Sequence, residues 1–218
     1  MIDHTLLAPE TTPGQVAMFC AEAVSLGVGA VCVAAGRLPL PQDALPAGVG
    51  VVAVVGFPSG AHHSDVKAFE ARSAVDDGAT ELDVVIDLGA AAAGLWHAVE
   101  SDLKVVREAA PTVVFKAIIE SAMLDEPVAI ATACSVAEAA GADFVKTSTG
   151  FHPSGGATVE AVSIMAEAVS GRIGVKAAGG IRDLTTALRL VDAGATRLGC
   201  SSSRSILDAL QSTADDDG

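Results

Sequence analysis

Four times along this chain a glycine is followed by an alanine and then by a short run that favours extended backbone. The copies are Gly29-Ala30-Val31-Cys32-Val33, Gly78-Ala79-Thr80-Glu81-Leu82-Asp83, Gly141-Ala142-Asp143-Phe144-Val145-Lys146 and Gly194-Ala195-Thr196-Arg197-Leu198-Gly199. Each glycine takes the left-handed conformation that ends an Ala-rich helix, and the residues behind it start a strand. Further strands are expected at Gly50–Val55, Val113–Ile119 and Gly174–Ala177, each followed by a helix-like stretch, with Ile2–Leu7 as the first. Strand and helix therefore alternate throughout, in roughly eight βα units. That pattern predicts an α/β fold, a closed parallel TIM (β/α)8 barrel.

Composition agrees with a sheet buried on both faces. Half of the 218 residues are apolar, only 3% are aromatic, and there is no tyrosine. Small side chains let helices pack closely on the strands. No linker divides the chain, so residues 1–218 are expected to form one domain. The acidic end Asp215-Asp216-Asp217-Gly218 places a disordered, solvated tail at about residues 213–218.

A net charge of −14, with no basic cluster among aromatics, argues against nucleic acid and anionic membrane as partners. Cys20, Cys32, Cys134 and Cys200 lack C-x-x-C spacing and nearby histidines, so they read as reduced thiols without a metal. The first residues have no basic and apolar leader pattern. The longest apolar run, Val49 to Phe57, is about half the length of a membrane span. A cytoplasmic protein is the expectation.

Two lysines stand in otherwise apolar strands and run into Gly-rich turns: Lys146 in Asp143–Gly150 and Lys176 in Gly174–Gly180. An amine there loses hydration, its ammonium form is disfavoured, and the free amine becomes able to attack a carbonyl. This is the basis of Schiff-base chemistry; the alternative is a lysine that snorkels to solvent from a strand end. Asp83, inside the apolar run Glu81–Val85, needs a cationic partner, and Lys116 in Val113–Glu120 is the candidate. A carboxylate among amines serves either as a structural ion pair or as a proton shuttle. Local chemistry does not rank the two lysines.

The turns after the late strands, Ala177-Ala178-Gly179-Gly180-Ile181-Arg182 and Gly199-Cys200-Ser201-Ser202-Ser203, combine glycines that expose backbone N–H groups with hydroxyl donors and a helix start. That chemistry suits a phosphate, the group that barrels commonly hold after strands seven and eight; ordinary turn chemistry is the alternative.

These segments, with Ile2–Leu7, Val54–Pro58, Lys67–Glu70, Lys146-Thr147-Ser148-Thr149-Gly150-Phe151 and Gly155–Thr158, resemble the deoxyribose-phosphate aldolase family over nearly the whole chain. The resemblance implies reversible cleavage of 2-deoxy-D-ribose 5-phosphate to acetaldehyde and D-glyceraldehyde 3-phosphate, with no cofactor. It assigns Lys146 as Schiff-base nucleophile, Lys176 as the neighbouring ammonium that lowers its pKa and assists proton transfer, and Asp83 as proton donor and acceptor. Lys116 and Asp3 become supporting charges. By the same resemblance Thr149, Gly150, Gly179, Gly180, Gly199, Ser201 and Ser202 bind the phosphorylated substrate, and Cys32 falls where some relatives carry a pocket thiol, a small buried hydrophobe being the alternative. Members are often dimers, so a homodimer is expected. The chain departs from the family at Ala34-Ala35, where relatives often carry Asn-Pro, and in a shorter opening segment, which bears on barrel closure. It also has no tyrosine to match the carboxy-terminal one of some members. Two other functions share these residues: another Schiff-base sugar-phosphate aldolase or isomerase, and a degenerate barrel that binds a sugar phosphate without reacting.

Overall fold

Eight parallel strands close on themselves in chain order in the computed structural model, which describes residues 2–216. The strands are β1 Ile2–Leu6, β2 Ala30–Ala34, β3 Gly50–Val55, β4 Glu81–Val85, β5 Val114–Ile118, β6 Phe144–Lys146, β7 Gly174–Ala178 and β8 Arg197–Cys200. Closure runs through β1, which pairs with β2 (Asp3 opposite Ala30) and with β8 (Asp3 opposite Gly199). The short opening segment thus leaves the cylinder complete, and the TIM-barrel expectation holds.

The helices are α1 Pro13–Leu26, α2 Ser64–Asp76, α3 Leu88–Ala92, α4 Trp96–Ala109, α5 Ser121–Leu124, α6 Pro127–Ala139, α7 Val159–Val169, α8 Leu184–Asp192 and α9 Ser203–Asp216. Thr12, Thr158 and Asp183 cap α1, α7 and α8 through side-chain oxygens that accept free amides of the first turn. Three of the four repeat glycines, Gly78, Gly141 and Gly194, have positive φ just after a helix. The first copy differs: Gly27, at φ 60°, ends α1, so Gly29 only leads into β2. Ala35, where the chain departs from the family, begins a one-turn 3-10 helix that ends at Arg37. The tail expected to lack structure from residue 213 is helical through Asp216, and residues 217–218 lie outside the described part. No helix among the described residues is long and apolar enough to cross a membrane.

Strand residues alternate between two environments. Those turned outward, such as Val31, Val55, Leu82, Phe115, Val145 and Val175, pack under the helices in one large apolar cluster. Full burial of such side chains contributes about 1.5–3 kcal/mol each, so this layer supplies most of the driving force. Inside the barrel a small apolar set, Ala30, Cys32, Val52 and Val54, comes from β2 and β3 alone. The other strands fill the interior with charge, and that asymmetry positions the site.

Candidate active site

Strand pairing brings the predicted residues together two by two. Lys146 stands opposite Lys176 on β6 and β7, and Asp83 opposite Lys116 on β4 and β5. Asp83 is the hub: its Oδ1 accepts from Lys116 Nζ at 2.9 Å, and its Oδ2 accepts from Lys146 Nζ and Lys176 Nζ, each at 2.7 Å. Lys176 also donates to Asp3 at 2.5 Å, and Asp3 accepts from Arg197 at 2.8 Å. Asp3, Asp83, Lys116 and Lys176 are fully buried.

Burial pushes Asp83 up, but the charges of Lys116, Lys146 and Lys176 outweigh it and hold the carboxyl well below the usual range. Asp3 behaves alike: burial raises it, and Lys176 and then Lys116 bring it down further than burial lifts it. Lys176 corrects the sequence expectation for buried amines. Burial alone would favour its neutral form, yet Asp83 and Asp3 more than offset this and hold it above the ordinary lysine value. The sequence shows the apolar strand around Lys176 but not two carboxylates from distant strands.

Above this cluster a cavity of about 570 Å³ opens at the carboxyl ends of β1, β6, β7 and β8. Of the buried charges described so far, only Lys146 lines it. Thr149, Gly150, Gly179, Gly180, Gly199 and Ser201, which the resemblance assigns to the phosphorylated substrate, line this cavity. Gly179 and Gly180 have φ of 90° and 80°, a geometry that glycine adopts without strain. Two expected residues do not reach the cavity. Ser202 is half-buried outside the lining, where its carbonyl accepts the Ile206 amide in the first turn of α9. Cys32 is wholly buried within the barrel among Ala30, Val52 and Val54, outside the cavity lining, and burial raises its thiol pKa.

Several residues at or beside the cluster and the cavity were not singled out in the sequence. Arg182, exposed on the cavity wall, supplies a cation beside the glycine turns; it was visible in the Gly-Gly-Ile-Arg run. Glu120 is fully buried with φ 53°, and its carboxylate accepts from Thr149 N and, at 2.7 Å, from Thr149 Oγ1. It thereby fixes the turn that bears Gly150. Glu81 and Arg197, at the opposite end of the barrel, contact Lys116 and Asp3.

A family model described as DeoC/LacD family aldolase matches residues 1–209. A deoxyribose-phosphate aldolase from Nocardia farcinica is 58% identical over 212 residues, 97% of this chain and 93% of that protein. Among solved structures, the aldolase QR15 is 39% identical with a TM-score of 0.91, covering 97% of this chain and 95% of its own. A deoxyribose phosphate aldolase from Aeropyrum pernix, described as tetrameric, is 32% identical with a TM-score of 0.85, over 97% and 90% of the two chains. A barrel whose carboxyl-end cavity has an amine at its floor and glycine turns on its wall, with these relatives over nearly its full length, belongs to the DeoC/LacD aldolase family.

Proposed function

We propose that this aldolase reversibly cleaves 2-deoxy-D-ribose 5-phosphate to acetaldehyde and D-glyceraldehyde 3-phosphate through a Schiff base on Lys146. One observation carries the reading: among the buried cluster's amines, Lys146 alone lines the cavity, and it faces the glycine wall. Its amine adds to the C1 carbonyl of the open-chain sugar, and loss of water gives an iminium. Deprotonation of the C3 hydroxyl then breaks the C2–C3 bond. The electron pair passes into an enamine, and glyceraldehyde 3-phosphate leaves. Protonation of the enamine at carbon and hydrolysis release acetaldehyde and the free amine. The iminium is the electron sink, so the cycle balances without a cofactor.

Asp83 moves protons through a water at the carbinolamine and enamine steps, and Lys176 remains the charged neighbour of Lys146. Lys116 and Asp3 hold Asp83 and Lys176 in place. The phosphate lies against Gly179, Gly180 and Ser201, with Thr149, Gly150, Gly199 and Arg182 completing its surroundings. A local field of this kind binds an anion despite a net charge of −14. The same reading takes the enzyme to be cytoplasmic and homodimeric, which cell fractionation and light scattering test.

Borohydride reduction in the presence of 2-deoxyribose 5-phosphate, followed by peptide mass spectrometry, is the direct test. The expected product is a two-carbon adduct on Lys146. An adduct on Lys176 would reverse the roles of the two amines, and folded protein without any adduct would favour a sugar-phosphate binder or another substrate.

A further inference from the structure

The contacts of the buried charges close on themselves. Asp83 meets Lys116 at 2.9 Å, Lys116 meets Glu81 at 2.5 Å, and Glu81 meets Arg197 at 3.5 Å. Arg197 meets Asp3 at 2.8 Å, Asp3 meets Lys176 at 2.5 Å, and Lys176 returns to Asp83 at 2.7 Å. Three anions and three cations alternate around this ring. Lys146, at 2.7 Å from Asp83, is a seventh charge attached from outside. The ring is balanced without it, so loss of the Lys146 proton leaves the alternation of three anions and three cations intact.

We propose that Glu81 and Arg197 are positioning residues of the aldolase reaction: they complete the far half of the ring and so fix how much of Asp83's negative charge remains for Lys146. Neither touches the substrate cavity. They line a second cavity of about 780 Å³ at the amino ends of the strands, with Gly50 beside them. The barrel makes room for both. A Cβ on Gly50 would stand 2.8 Å from Glu81 Oε1, and one on Gly174 would strike the Phe144 ring over which the Arg197 guanidinium lies, 5.5 Å from its centre.

Glu81 draws Lys116 partly away from Asp83, and Arg197 draws Asp3 partly away from Lys176. Removing the Glu81 charge leaves a surplus cation in the ring, which disfavours the Lys146 ammonium. Removing the Arg197 charge leaves a surplus anion, which favours it. The titratable and charged groups around Lys146 are Asp3 on β1, Cys32 on β2, Glu81 and Asp83 on β4, Lys116 on β5, Lys176 on β7 and Arg197 on β8, with Glu120 beyond β5 held by Thr149 and, around the cavity that Lys146 lines, Glu10, Arg182 and Cys200. β3 faces them with Val52 and Val54.

This inference rests on Lys146 being the nucleophile. Its test is the rate of cyanoborohydride trapping of acetaldehyde on Lys146 as a function of pH, with folding followed by circular dichroism. In Glu81→Gln the acid limb is expected to move down by about one pH unit, and in Arg197→Gln up by about one unit, as expected for one charge removed within a screened interior. The double variant loses one charge of each sign and should return the limb close to the wild-type position. Limbs that stay in place, or that move in the same direction in both single variants, overturn the proposal; a purely structural role predicts that result. If one single variant does not fold, the direction in the other decides. If neither folds, Glu81→Asp and Arg197→Lys, which keep the charges, must retain the wild-type limb, and a displaced limb overturns the proposal. Wild-type protein that traps nothing on Lys146 overturns the proposed function itself, which separates the two failures.

Discussion

Lys146 and Lys176 face each other across one strand pair and share Asp83, yet their company differs. Lys176 has a second carboxylate, Asp3, and no opening to the cavity, whereas Lys146 has only a share of Asp83 and the cavity above it. Charge therefore settles on Lys176. Replacing it tests this division. In Lys176→Met, Asp83 and Asp3 lose a shared cation, and Lys146 becomes the amine that must neutralise Asp83. We expect kcat/KM for 2-deoxyribose 5-phosphate to fall by about 100- to 1,000-fold near pH 7 and to recover in part as pH rises, because the remaining amine then loses its proton. A pH profile of kcat/KM checks this; a loss equal at every pH would assign Lys176 to a bond-making step instead. The sequence could nominate both amines, since each breaks an apolar strand. It could not rank them, because the ranking depends on Asp3, which lies 173 positions from Lys176 along the chain.

Between elements, the cavity wall is built by two turns in direct contact. Gly156, in the loop between β6 and α7, lies against the turn that follows β7: a Cβ there would come within 2.3 Å of the Gly179 carbonyl oxygen. Ala157 N donates to that same carbonyl at 3.0 Å, and Thr158 then caps α7, so the loop is fixed at its end. Gly156→Ala must separate the turns that carry Gly150 and Gly179–Gly180. The expected result is about a tenfold rise in KM for the sugar phosphate, with kcat changed less than about threefold and some loss of thermal stability, measured by steady-state kinetics and calorimetry. A kcat effect larger than the KM effect would instead link the wall to the amine. The strands and helices themselves were legible, because glycine stops and apolar runs are local signals. Contacts across elements were not. Nothing near Lys67 in the sequence announces that it is fully buried on α2, donating to Asp102 of α4 at 2.8 Å and to the Val85 carbonyl at the end of β4.

At the scale of the whole molecule, a chain with 27 acidic and 13 basic side chains encloses an interior set of four cations and three anions. Surface and interior should therefore answer acid with opposite sign. Protonation of exposed carboxylates relieves the mutual repulsion of a −14 chain and favours the folded state. Asp3 and Asp83 are held below their ordinary values, so their contribution to stability is complete above about pH 4 and is lost as pH falls through their folded values. Lys176 is raised, and its contribution is complete below about pH 10.4 and is lost only above that, so it has no part in the acid range. The urea unfolding midpoint should thus stay level or rise slightly from pH 7 to 5 and fall steeply below about pH 4. Asp83→Asn separates the two effects. It is expected to be less stable at pH 7 by about 3–5 kcal/mol, since it leaves three ammonium groups short of their common carboxylate. Its fall below pH 4 should be shallower than that of the wild type, because one of the two buried carboxylates that titrate there is gone. Parallel acid limbs in the two proteins would place the acid sensitivity on the surface and remove Asp83 from the account of how the barrel is held together.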